Sequence, residues 1–352
     1  METRPKTIYL PDTMTDWPWP RTINPHFEAV KIEADAWFHS FKAVDPETLE
    51  AFDKCDAAYL VALAHPTVSR EHLRVCCEAM DIQLFVDEVT ERSTAADANG
   101  IVDIGVDALH NPHKIRPEGE HIMGEMMRQC SARAMQTISM TCQPRFVDSF
   151  TTYLRAVAVE VIDREQRHCR SIDDHFKHRR ESSGILPWLI LCGMEIDLPD
   201  EVFYHPAIVD MVECAADLVT IDNDIFSYNR EQASGNEYNS LITVVILELG
   251  LDIGGAMGWA AAYHTKLKKR FIDGFAKIPS WGPSTDSLVK EYLDGLGMWV
   301  RASYIWSFDV QRYFGTMSAE IQETRLVPLL PKVHCKASIR GGEDHTDTRY
   351  SQ

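Results

Sequence analysis

Residues 211–231 read MVECAADLVTIDNDIFSYNRE, and the spacing of polar residues in this stretch decides the fold. Asn223, Ser227 and Glu231 fall at i, i+4 and i+8, on one stripe of an α-helix. The same stripe continued backward holds Val219, Ala216 and Val212. An apolar face therefore turns polar toward one end, and all three polar residues offer oxygen. A helix face merely entering solvent needs no such rhythm. Asp222 and Asp224 flank Asn223 and are placed to hydrogen-bond around it. Arg230 stands beside Glu231, where it can meet an anion.

A second segment repeats the arrangement. In MDIQLFVDEVTE (80–91), Met80, Leu84, Asp87 and Glu91 share one helical stripe, so two carboxylates continue a greasy face. Alone, the pattern describes a solvated helix end equally well. At the mouth of an apolar cavity, hard oxygen ligands of this kind suit Mg²⁺, which takes one or two carboxylates, several waters and substrate phosphate.

Working outward, the pattern is helical from about Pro25 onward: apolar residues recur three and four apart, without clear strand alternation. Breaks are expected at His65-Pro66, Asn111-Pro112-His113, Gln143-Pro144, Ser183-Gly184, Leu198-Pro199, His205-Pro206 and Pro279 to Pro283. These divide the chain into roughly ten to twelve helices. The expected organisation is an N-terminal wrapping segment (1–24), one all-α domain (25–340) and a polar tail (341–352).

Composition limits the function. The chain has 352 residues, 45% of them apolar, enough for one large core. The net charge of −18 argues against nucleic acid or an anionic membrane as a general partner. An anionic substrate must then be captured by metal ions or by a few placed Arg and Lys. No stretch reaches the roughly 18–20 apolar residues of a membrane span, and Met1 to Asp16 lacks the apolar core of a secretory signal. Nine cysteines without a CxxC suit a reducing compartment, so a cytoplasmic location is expected.

The residues at this point carry a resemblance. Asp87-Glu88-Val89-Thr90-Glu91 resembles the aspartate-rich D-(D/E/N)-x-x-(D/E) motif of class I terpene synthases, and Asn223 to Glu231 matches their N-D-x-x-S-x-x-x-E motif at every defining position. Arg312-Tyr313 is similar to their C-terminal Arg-Tyr pair. Arg180, ahead of Ser183-Gly184, resembles the diphosphate-sensing arginine, with Gly184 in the effector position. LPDTMTDWPWPRTINPHF (10–27) and LPDEVFYHP (198–206) resemble fungal, particularly basidiomycete, sesquiterpene synthases, and the likeness spans about residues 8–315. Glu91 closes the first motif where many relatives have Asp; one extra methylene leaves Asp87 as the main ligand expected there.

The resemblance implies a helical bundle around a central apolar cavity and a lyase that ionises an isoprenyl diphosphate, farnesyl diphosphate before geranyl diphosphate. It implies three Mg²⁺ ions, with Mn²⁺ a substitute, held by Asp87, Glu91, Asn223, Ser227 and Glu231. Diphosphate contacts fall to Arg180, Arg230, Arg312 and Tyr313, and the family allows a homodimer. Phe85, Trp299 and Trp306 are candidate cavity aromatics; Trp299 and Trp306, seven apart, share a helical face. Competing readings are a monoterpene or acyclic alcohol synthase of the linalool/nerolidol type, a chain-elongating prenyltransferase, and a non-catalytic helical scaffold. A prenyltransferase would need a second aspartate-rich motif where this chain has Asn, Ser and Glu. A protonation-initiated cyclase would need a D-x-D-D run, which is absent.

Overall fold

The computed structural model describes residues 7–332; the tail expected at 341–352 lies outside the described residues. The helices are α1 (Phe27–Ser40), α2 (Pro46–Cys55), α3 (Ala57–Ala64), α4 (Arg70–Arg92), α5 (Ala95–His110), α6 (Met123–Thr137), α7 (Cys142–Gln166), α8 (Ile172–Ser182), α9 (Ile185–Leu191), α10 (Asp200–Phe203), α11 (Pro206–Ser234), α12 (Leu241–Leu249), α13 (Ile253–Gly274), α14 (Pro283–Asp309) and α15 (Ser318–Thr324). The all-α expectation holds. The expected ten to twelve is an undercount, because short helices such as α9 and α10 fall between closely spaced breaks.

Local chemistry sets the ends of the two longest helices. Pro206 opens α11 and Pro283 opens α14, where proline's missing N–H costs nothing. Gly235, at φ 83°, closes α11 with its N–H on the Glu231 carbonyl. Between these ends α11 is buried on nearly every side from Met211 to Tyr228, as befits the central helix of a bundle. It packs against α13, α14 and α9, while α4 packs against α1, α3 and α6. Pro144 does not break a helix: it lies in the first turn of α7, where a free N–H is unneeded anyway.

The N-terminal stretch is extended and bound along the body. Arg301 donates to the carbonyls of Trp17 and Trp19, Trp17 Nε1 donates to the Gly297 carbonyl, and both indoles pack on Phe271. One element was not expected. Strand β1 (Thr7–Tyr9) pairs antiparallel with β2 (Leu326–Pro328), Ile8 opposite Val327. Three residues are too few to show alternation. The described cysteines are all free thiols, and among the described residues no single helix is long and apolar enough to cross a membrane.

Candidate active site

The helices α3, α4, α7, α8, α9, α11 and α14 surround a cavity of about 550 Å³. Its walls are apolar, with Leu60, Leu84, Val157, Ile185, Val219 and three tryptophans among the lining residues. Asp87 and Glu91 reach it from α4, and Asn223, Ser227, Arg230 and Glu231 from α11. Arg312 and Tyr313 reach it from just beyond the end of α14. The two polar steps read from the sequence thus open onto one space.

On α4, Tyr153 donates its phenol to Asp87 Oδ1 at 3.1 Å. Burial pushes the Asp87 carboxyl up to about 6, against the pull of the Arg312 charge and the Tyr153 bond. Glu91, one turn on, is exposed and accepts a hydrogen bond from the side-chain amide of Asn236, across the chain turn that follows α11. Glu88 turns aside to pair with Arg92.

On α11, the amide of Asn223 is engaged at both ends. Arg179 Nη2 donates to Oδ1 at 3.0 Å, and Nδ2 donates to the Tyr313 hydroxyl at 2.8 Å. Ser227 Oγ and Glu231 Oε2 are buried with no hydrogen-bond partner among the described residues. Burial, with the charge of Asp224, raises the Glu231 carboxyl to about 7. Asp224 accepts from Arg179 at 3.0 Å and from the Leu241 N–H at 2.8 Å, which fixes the arginine beside the ligand stripe. Buried oxygens without partners are costly, and a divalent cation with its waters would satisfy them. The donor set therefore fits Mg²⁺, although among the described residues no three His, Cys, Asp or Glu side chains form a preformed cage.

Two expected site residues lie elsewhere. Arg180 faces away from the cavity, with a bidentate pair to Asp217 at 2.7 and 2.8 Å and a further contact to Glu213 at 2.8 Å. Neighbours on a helix point about 100° apart, and it is Arg179 that enters the cavity. Phe85 packs outward against Phe38 and His121 and is 1% exposed. It stands one residue off the stripe of Leu84 and Asp87, so it belongs to the bundle core. Trp299 and Trp306 do line the cavity. Their N–H groups are anchored behind them: Trp299 on His65 Nε2 at 3.1 Å, Trp306 on the Cys55 carbonyl at 2.8 Å. Gly184 sits at the α8–α9 break with φ 71°, as its place at a helix stop requires.

Sequence reasoning missed Arg179, Tyr153, Gln83 and Trp188. Arg179 had a legible clue: His175, Arg179 and Ser182 form an i, i+4, i+7 stripe, and all three face the bundle. Trp188 had none, since it lies on a seven-residue helix whose phase is reset by the break.

The helical bundle is similar in fold to solved terpenoid synthases. α-Eudesmol synthase superposes with a TM-score of 0.76 over 85% of this chain and 99% of its own, at 19% identity, a likeness of fold. Residues 80–270 match the sequence profile of terpene synthase family 2, C-terminal metal binding. Sesquiterpene synthase 14 of Postia placenta is 44% identical over 340 residues, 97% of either chain. Delta(6)-protoilludene synthase 18 of the same fungus is 44% identical over 95% of each. The chain belongs to the terpene synthase family.

Proposed function

We propose that this protein is a Mg²⁺-dependent sesquiterpene synthase that ionises farnesyl diphosphate and releases diphosphate with a cyclised C15 hydrocarbon or alcohol. The observation that carries the reading is the continuity of one cavity from apolar, tryptophan-lined walls to a mouth bearing both oxygen sets and Arg179, Arg230 and Arg312. The names of the relatives point the same way.

In this reading Asp87, with Glu91, and the trio Asn223, Ser227 and Glu231 hold the metal ions. When bound, Mg²⁺ neutralises the charge that builds on the leaving diphosphate. Arg179, Arg230 and Arg312 supply N–H donors to the same oxygens, and Tyr313 adds its hydroxyl. Arg179 takes the role expected of Arg180. The walls exclude water, which would quench an allylic cation at once. Indole faces offer that cation about 0.5–2 kcal/mol each, small beside ionisation but enough to choose among its fates. No wall residue need act as a base, because the departing diphosphate can take the proton.

The test is incubation with farnesyl or geranyl diphosphate and Mg²⁺, followed by gas chromatography and mass spectrometry. A cyclic C15 product that vanishes in EDTA and returns with Mg²⁺ is expected. Full turnover in EDTA would sink the metal assignment; longer prenyl chains on adding isopentenyl diphosphate would make it a prenyltransferase.

A further inference from the structure

Gln83 lines the cavity wall one helical turn before Asp87 and reaches across to the break between α8 and α9. Its Nε2 donates to the Ser183 carbonyl at 3.1 Å, and its Oε1 accepts from Trp188 Nε1 at 2.6 Å. Only one orientation of the amide serves both neighbours, because an indole N–H only donates and a carbonyl only accepts. Gly184 makes the contact feasible. A Cβ at that position would stand 2.4 Å from Gln83 Nε2 and 2.7 Å from its Cδ, so the amide lies against bare backbone.

The partners matter for what they join. The Ser183 carbonyl belongs to the end of α8, where helical acceptors run out. One turn earlier on that helix is Arg179, bonded to Asn223 at the mouth. Trp188 lines the cavity and packs against Trp299, ring centroids 5.6 Å apart. The Trp299 indole hangs on His65, remote from the break, so of these two only Trp188 is wired to it.

We infer that Gln83 is a positioning residue that ties the indole of Trp188 to the Ser183–Gly184 break and so sets how this aromatic face meets the substrate chain. The inference deepens the terpene synthase reading and rests on it for its second half. Gln83 does no chemistry; it acts through the ring it holds. A residue with only a structural role would lower folding yield and leave the partition among products untouched.

The test uses the full chain and two variants. Gln83→Met keeps length and loses both hydrogen bonds. Gln83→Glu keeps the acceptor for Trp188 and loses the donor to Ser183. Hydrogen exchange without substrate is read first. Amides 184–190 should exchange about tenfold faster in Gln83→Met, with α14 unchanged. Gln83→Glu should show the same loosening. Products from farnesyl diphosphate are read next. In Gln83→Met the ratio of major to minor products should shift about threefold or more, read at equal amounts of folded enzyme. Gln83→Glu should lie between the wild type and Gln83→Met in product ratio. Unchanged exchange at 184–190 in both variants overturns the tie. Loosened exchange with an unchanged product ratio overturns its effect on the reaction. If the wild type releases no diphosphate from any prenyl diphosphate, the terpene synthase reading fails, and the exchange result still decides whether Gln83 holds the break.

Discussion

The two polar rims of the cavity are built differently. On α4, Asp87 has a phenol to bond with, and Glu91 stands exposed with Asn236 as its partner. On α11, Ser227 Oγ and Glu231 Oε2 are buried without partners among the described residues, and Asn223 is held from both sides by Arg179 and Tyr313. The α11 rim thus holds two unpaired oxygens beside a fixed Asn223, whereas Asp87 and Glu91 on α4 each have a protein partner. Unpaired buried oxygens are costly, and those that face a cavity are open to a further partner. In the proposed function the difference would make α11 the more demanding metal platform and α4 the more adaptable one.

The largest expected effect tests that asymmetry. Asn223→Ala should lower the rate of diphosphate release by about two to three orders of magnitude, while Glu91→Gln should cost about tenfold or less. Circular dichroism should stay helical in both. Equal losses would erase the distinction between the rims.

Next comes the pair of adjacent arginines. Arg179→Gln should lose about a hundredfold in kcat/KM for farnesyl diphosphate, because it removes a guanidinium from the mouth. Arg180→Gln should keep turnover per folded molecule within about threefold. It should instead lower the melting temperature, since Asp217, 1% exposed, loses its bidentate partner, a change of about 3 kcal/mol. The reverse pattern would return the diphosphate contact to Arg180.

The smallest effect concerns Tyr153 and pH. Burial raises Asp87 to about 6, and the Tyr153 bond holds it down. A proton and a metal ion compete for that carboxylate, so the Mg²⁺ needed for half-maximal rate should rise as pH falls through about 6. Tyr153→Phe removes a bond that favours the charged form, so the same rise should begin at higher pH. An onset unmoved by the substitution would leave the phenol no part in tuning the α4 rim.

Much of this was legible in the sequence. Proline and glycine punctuation located the ends of α3, α11 and α14, because these residues act through their own backbone. That the two polar stripes share one space was legible because long, unbroken helices keep their phase over several turns. Legibility failed where phase was lost or shared. Arg179 and Arg180 are neighbours that only the stripe of His175, Arg179 and Ser182 tells apart along the chain, and the packing of α8 against α11 then sends Arg179 to the cavity and Arg180 to Asp217. Gln83 was overlooked because its partners, Ser183 and Trp188, lie about a hundred positions away, on the far side of a break.

The pairing of β1 with β2 has a topological consequence. Thr7 lies opposite Pro328, and the Leu10 N–H donates to the Arg325 carbonyl at 2.8 Å. The described chain therefore starts and finishes at one spot on its surface. Arg325, just before β2, stacks on Phe308 near the end of α14, shortly before Arg312. The described helices are in effect a ring closed at the β1–β2 pair, beside the helix that leads to the cavity mouth. A circularly permuted chain, joined there and reopened in the turn between α5 and α6, would retain every cavity-lining residue in an uninterrupted stretch. The order in which the helices are strung is separable from the chamber they enclose.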